Sequence, residues 1–329
     1  EWLLTFSKAT LYGSAKTLSL DFAPGERWQY SDQGYFLLGL IIERAAGKPY
    51  AAFMSDRIFK PLGMASTSVL SKTAVTPNLA PNYSRLGTAW IRSRERDADY
   101  AVGSHYGIVS TVTDLVKWNA ALDSQLLVGK RSFEQMWTPA TLAGGEVADS
   151  GLGGYGFGWF LDEFRGHRIV MHGGSTGTSL VRYPDDRLAV VVLSNLEGLA
   201  GMDADATAQR LAGMVLPGVS WDAMKEAADP DPATAQAVKR DVERLVAGDP
   251  EMARYEPDAE PYARAAARSF VAAGGPRVFT NLKVAFLERG EQAGRRVLYY
   301  LVTSDAAAMY LRFTMAADGR IARLQITQR

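Results

Sequence analysis

A tyrosine, a serine and an acid stand together at Tyr30-Ser31-Asp32, and far downstream a histidine is followed by two glycines at His172-Gly173-Gly174. A phenol is a poor base at neutral pH, because its ordinary pKa is about 10. Beside an ammonium group it can take the proton of a serine hydroxyl, and Asp32 is suited to anchor such an ammonium. Tyr30 also precedes a helical pattern, where backbone N–H groups and the helix dipole favour a phenolate. On these residues alone a plainer alternative stays open, with Tyr30 a packed aromatic and Ser31 or Asp32 a helix N-cap. At the second cluster, Gly173 and Gly174 allow a substrate close to the backbone. The His172 imidazole is a titratable cation or a hydrogen-bond donor.

Other constellations argue for less. Gly173-Gly174-Ser175-Thr176-Gly177 spells a nucleophile elbow, but strand-like sequence follows Ser175, where the elbow needs a helix. All three histidines (His105, His167, His172) precede Ser175, so the triad order fails as well. Those histidines lack helix-ligand spacing and there is no cysteine, so no metal site is expected. Gly154, Gly156 and Gly158 follow no strand-to-helix pattern and do not read as a phosphate loop. Tyr155 and Trp159 read as core or cleft-wall aromatics, His105 as a structural loop residue and His167 as a solvated turn residue.

Several elements must position these groups. Gln33–Ala46 has helical spacing, with Leu37, Leu38, Ile41, Ile42 and Ala45 on one face and Gly47 as its stop. A second helix covers about Thr113–Leu122, and a closing helix Asp203–Met214. Ile169–Met171, Leu180–Tyr183 and the apolar run Leu188–Leu193 read as strands, with a turn at Pro184–Arg187. Asp229-Pro230-Asp231-Pro232 is the clearest linker signal, with its acids solvated. Beyond it come helices near Ala233–Val246 and Pro261–Ala272. Strands follow near Arg277–Leu287, Arg296–Thr303, Met309–Met315 and Ile321–Thr327, with a two-residue hairpin signal at Asp318-Gly319. Alternation of Met309, Leu311, Phe313 and Met315 buries one face of its strand.

Composition narrows the function classes. The 329 residues suffice for two domains, and 47% hydrophobic content supports real cores. Thirty-six basic residues balance 36 acidic ones, leaving no excess to attract nucleic acid or anionic lipid. No apolar run reaches membrane-spanning length. Absence of cysteine excludes disulfides and thiol nucleophiles. The sequence opens on Glu1 with no visible signal peptide, and further sequence ahead of it is expected.

Taken in order, Pro24-Gly25-Glu26, Tyr30-Ser31-Asp32-Gln33-Gly34-Tyr35, Leu37-Leu38-Gly39, Pro61-Leu62-Gly63-Met64, Tyr106–Thr111 with Asp114-Leu115, Gly154–Trp159, His172-Gly173-Gly174 and Ser194-Asn195 form a set. Together they resemble the serine β-lactamase and penicillin-binding-protein superfamily, in its class C-like and family VIII esterase-like branch, over about Leu3 to Met214. The resemblance implies an α+β fold, an antiparallel sheet flanked by helices, over residues 1–218. A linker at 219–232 and a small α+β domain at 233–329 would follow. Helix-then-sheet order makes that last domain cystatin-like or nuclear-transport-factor-like by analogy alone.

By the same resemblance Tyr30 is the activating base or proton relay, and Asp32 takes a place often held by Asn. His172 stands where the family has a lysine. Gly173, Gly174 and the Ser175 N–H would line the oxyanion site with Tyr106 close by. The implied chemistry is acyl transfer through a serine ester on small esters, D-amino-acid peptides or β-lactams, with no cofactor. No serine here is followed three residues later by lysine, so the nucleophile pair is expected upstream of this chain. A catalytically inactive binding protein on the same scaffold is the alternative. Expected partners are a small-molecule or peptide substrate, with oligomerisation through the C-terminal domain left open. Compartment is unknown from the residues; the resemblance favours a periplasmic or exported location.

Overall fold

The computed structural model describes residues 8–71, 74–86, 89–93, 103–150, 153–196 and 204–328. Helices α1 (Lys8–Thr17), α2 (Asp32–Ala46) and α3 (Tyr50–Met54) come first. Two small strand pairs follow, β1 (Ser68–Val69) with β4 (Ile108–Val109) and β2 (Tyr83–Leu86) with β3 (Ala89–Arg92). Helices α4 (Val112–Asp123) and α5 (Lys130–Met136) lead into an antiparallel sheet of β5 (Gly154–Tyr155), β6 (Phe160–Phe164), β7 (His167–Gly174), β8 (Thr178–Tyr183) and β9 (Leu188–Val192), in sequential order. Helix α6 (Ala204–Val215) closes this part.

Turn chemistry sets the register of that sheet. Phe164 pairs with His167, leaving Arg165 and Gly166 as a two-residue loop with both φ positive, 52° and 83°. That is the hairpin geometry whose twist matches the strands. Successive residues of β7 then serve opposite cores. Val170 packs with Leu122, Phe133 and Trp159 on the α4–α5 side. Ile169 and Met171 pack with Ala208 and Ala212 of α6 on the other.

Helix α2 starts where expected and turns differently. Ser31 is its N-cap, with its hydroxyl accepting from the Gly34 N–H at 3.0 Å. Gly47, at φ 65°, ends it. The stripe Leu37, Leu38, Ile41, Ile42, Ala45 is not the buried face: Phe36 and Gly39 are buried, while Leu38 and Ile41 remain exposed. The loop at residues 103–106 decides this. Ser104 crosses so close to Gly39 that a Cβ there would lie 2.7 Å from the Ser104 Cβ.

Helices α7 (Pro232–Ala247) and α8 (Glu260–Ala272) precede the antiparallel meander β10 (Lys283–Gln292), β11 (Arg295–Thr303), β12 (Ala308–Met315) and β13 (Ile321–Gln328). The first of these strands begins later than the sequence predicts. Gly274 and Gly275 have positive φ, a short 3-10 turn spans Gly275–Arg277, and Asn281 sits at φ 52°, so extended pairing starts only at Lys283. Asp318-Gly319 belongs to a three-residue loop closed by Ala316 N–H donating to the Arg320 carbonyl, with Gly319 at φ 85°.

Both faces of the second sheet are covered. Leu298, Tyr300, Leu311 and Phe313 meet Val238, Leu245 and Phe270 of the helices. Val297, Tyr299, Leu301 and Tyr310 meet Phe164, Tyr183 and Trp221 on the opposite side. Trp221 stacks on Tyr310 with ring centroids 5.3 Å apart, and its indole donates to Gln209 at 3.2 Å. The segment around residues 219–232 therefore lies packed along the sheet. Its acids are engaged too: Asp229 accepts from the Tyr300 hydroxyl at 2.8 Å, and Asp231 caps α7. Association of two chains through this sheet face would have to displace the first part of the molecule.

A buried ionic cluster joins the two parts. Asp162 of β6 takes Arg312 of β12 at 2.7 Å and Arg323 of β13 at 3.2 Å, and Arg323 also reaches Asp149 at 2.6 Å. The Arg312 side chain is 1% exposed and that of Asp162 6%. Burial alone would lower the Arg312 pKa; Asp162, Tyr299 and Glu163 together more than offset it and keep the guanidinium charged. No helix among the described residues is long and apolar enough to cross a membrane.

Candidate active site

Strand β7 and the entrance of α2 carry the two sequence clusters, and folding brings them together. The Tyr30 and His172 rings lie 6.2 Å apart between centroids. Tyr30 is 48% exposed. Asp32 lies in the first turn of α2 and hydrogen-bonds the Tyr30 hydroxyl. The phenol is pushed up from its ordinary value, by burial first and then by the Asp32 charge and that hydrogen bond. This reverses the expectation of a phenolate at a helix entrance. Burial and a neighbouring carboxylate outweigh the weak field of the first turn, so Tyr30 holds its proton unless a cation sits beside it.

His172 is packed by aromatics on several sides. Phe160 lies 5.1 Å from it and Tyr155 6.2 Å, both between ring centroids. The Tyr155 hydroxyl is 3.3 Å from Nε2, and Nδ1 is 2.6 Å from the Gly173 carbonyl oxygen. Tyr155 in turn hydrogen-bonds Tyr35 and lies 5.2 Å from Trp28. Burial, then Tyr35, Tyr30 and Asp32, drive the Tyr155 phenol far above its ordinary value. Tyr155 is thus a member of the site that sequence reasoning placed only in the wall. The one signal for it was its position between Gly154 and Gly156. A Cβ at Gly156 would lie 2.2 Å from the Met136 carbonyl oxygen, so only glycine lets this strand seat Tyr155 there.

The glycines after His172 serve the protein's own packing. A Cβ at Gly174 would lie 2.3 Å from the Thr178 hydroxyl, and one at Gly173 3.3 Å from the Thr178 carbonyl and 3.5 Å from the Asp205 carboxylate. Ser175 begins the hairpin turn between β7 and β8, closed by Gly177 N–H donating to the Gly174 carbonyl at 3.1 Å. A strand follows it where a nucleophile elbow needs a helix. Tyr106 is linked to the site through α2. It closes the turn from Gly103, whose Ser104 hydroxyl donates to the Tyr35 carbonyl and whose His105 meets Phe36 edge-on at 5.7 Å. His167 opens β7 and pairs with Asp186 at 2.9 Å, so it is a partnered strand residue. Among the described residues no group of three acidic or histidine side chains could hold a metal ion.

Known proteins are similar to this chain in sequence or in fold. Penicillin-binding protein 4* of Bacillus subtilis is 35% identical over 196 residues, 55% of this chain and 42% of its own length. D-aminopeptidase of Gluconobacter oxydans is 24% identical over 217 residues, 65% of this chain and 39% of its own length. This chain therefore spans less than half the length of either relative. The octameric penicillin-binding protein homologue of Pyrococcus abyssi superposes on 100% of this chain and 70% of its own, with a TM-score of 0.56 at 19% identity. That likeness is one of fold. The Beta-lactamase family model matches residues 4–214, well over half of the sequence, and the chain belongs to that family.

Proposed function

We propose that this chain carries the substrate-facing part of a serine hydrolase that works through an acyl-enzyme. The observation that carries the proposal is the meeting of Tyr30, Asp32 and His172, from positions 140 residues apart in the sequence, where the entrance of α2 faces β7 in a β-lactamase-family fold. In such a reaction a serine Oγ attacks the substrate carbonyl carbon while its proton passes to a neighbouring base. The C–N or C–O bond to the leaving group then breaks, the leaving group takes the proton, and water later hydrolyses the acyl-serine. Tyr30 is the proton relay in this reading. Its raised pKa requires an ammonium group nearby before it can accept a proton, and Asp32 is placed to hold one. The serine and lysine of the reaction are not among these 329 residues as a Ser-x-x-Lys pair.

Substrates of the proposed class are small esters, D-amino-acid peptides and β-lactams. The names of the relatives, a penicillin-binding protein and D-aminopeptidases, support the last two. His172 in place of a fixed cation favours neutral esters and amides over substrates that need a carboxylate clamp. The test is a chromogenic short-chain ester with the full protein containing this chain. A pre-steady-state burst and an acylated serine in the intact mass are expected. Tyr30→Phe should lower turnover by about 10²–10⁴-fold with the folding transition unchanged. Near-normal turnover in that variant would remove Tyr30 from the mechanism.

A further inference from the structure

Tyr155 is 6% exposed, it is not part of the Tyr30 or His172 motif, and its hydroxyl is turned toward His172 Nε2 at 3.3 Å. The other ring nitrogen faces a group that can only accept: Nδ1 is 2.6 Å from the Gly173 carbonyl oxygen. A backbone carbonyl has no hydrogen to give, so Nδ1 carries one for as long as the ring keeps this orientation. In a neutral imidazole the remaining nitrogen is then an acceptor, and Tyr155 is the donor that faces it.

We infer that Tyr155 is a positioning residue that holds His172 as its Nδ1–H tautomer, so that the imidazole is tied to the Gly173 carbonyl and orders the Gly173–Gly174 strand. The role in catalysis rests on the hydrolase reading above; the tautomer does not. Two features make Tyr155 fit for the task. Its ring is held edge-on against Phe160, with centroids 4.9 Å apart, and tilted against Trp28 at 5.2 Å, which fixes where the hydroxyl oxygen lies. It also keeps its proton at any working pH, because burial and the neighbouring phenols and acid all oppose ionisation. The consequence falls on β7. With the His172 ring bonded to the Gly173 carbonyl, that acceptor is engaged at the place where a developing oxyanion needs only donors.

The experiment is a long-range ¹H–¹⁵N correlation spectrum of the full protein labelled with ¹⁵N-histidine, at pH 8.5. This chain contributes only three imidazoles, and the His172 signals are assigned by their loss in His172→Gln. We expect wild-type His172 as the Nδ1–H tautomer. Tyr155→Phe, which removes only the hydroxyl, should give a mixture of tautomers. It should also lower kcat by about tenfold, the worth of one hydrogen bond, with KM changed less than about twofold. A wild-type spectrum with hydrogen on Nε2 alone overturns the inference, even if Tyr155→Phe does not fold. So does a Tyr155→Phe spectrum identical to wild type. Failure of the hydrolase reading has a different signature: no ester turnover in the wild-type sample, with the Nδ1–H tautomer still present.

Discussion

Asp162→Ala removes one carboxylate from the seam between the two sheets, and its cost can be worked from the partners it leaves. In the wild type Asp162 faces Arg312 Nη1 at 2.7 Å and Nη2 at 3.4 Å, Arg323 at 3.2 Å and the Gln292 amide at 3.3 Å. Removing one member of a buried pair costs about 3–5 kcal/mol, because the other charge stays buried without compensation. Arg312 would keep the Glu163 carbonyl at 2.7 Å and the Gln325 side chain at 3.3 Å, and Arg323 would keep Asp149. These remaining acceptors place the expected loss at the lower end, about 3 kcal/mol. Urea unfolding followed by tryptophan fluorescence is the assay, since Trp221 stacks on Tyr310 in the same seam. Asp162→Ala combined with Arg312→Met should recover most of the loss, because an apolar pair of similar volume avoids the desolvation of both ions. A loss under about 1 kcal/mol for the single variant, the scale of an exposed pair, would refute the reasoning and mean that the seam is open to water.

Two further perturbations follow from local geometry. Asp114 is buried, and burial alone would raise its pKa. Hydrogen bonds from the Lys117 ammonium, the Ser66 N–H and the Thr67 hydroxyl outweigh that and hold it below the usual carboxylate value. A carboxylate lowered on folding stabilises above its unfolded pKa, and that stabilisation is lost as pH falls through the folded value. The stability gap between wild type and Asp114→Asn should therefore be full at pH 7 and shrink below about pH 4; a gap independent of pH would contradict the assignment. Gly156→Ala would press a Cβ onto the Met136 carbonyl, and we expect about 1–3 kcal/mol of destabilisation in thermal melts together with reduced ester turnover, as Tyr155 shifts. Unchanged melts would show that β5 can move aside.

Much of the scaffold is legible in the residues, and the departures have physical reasons. Helix α2 is announced by Ser31 and Gly47, and its ends fall within a residue of the expected ones. Its buried face is not announced, because the apolar stripe is wider than the surface that covers it, and the covering loop is chosen by tertiary contact at Gly39. Alternation along β12 reveals the helix-facing side of the second sheet. The other side carries Tyr310, Arg312 and Thr314, which look solvent-facing in sequence and are buried in the structure. The distant Asp162 and Asp222 help make that burial tolerable, and nothing local points to them. Tyr30, Asp32 and His172 were visible as chemistry-bearing residues, and the structure gathers them. The raised Tyr30 pKa was not visible, since it depends on where the Asp32 carboxylate turns. Tyr155 was hidden for the opposite reason: an aromatic between glycines reads as packing until its hydroxyl is seen against His172.

Labelling of the full protein with a fluorophosphonate, followed by peptide mapping, tests the central claim most directly. The account predicts one adduct, on a serine followed three residues later by lysine and lying outside these 329 residues, formed at least tenfold more slowly in Tyr30→Phe. An adduct on Ser175, or a folded protein that takes no label, would contradict it.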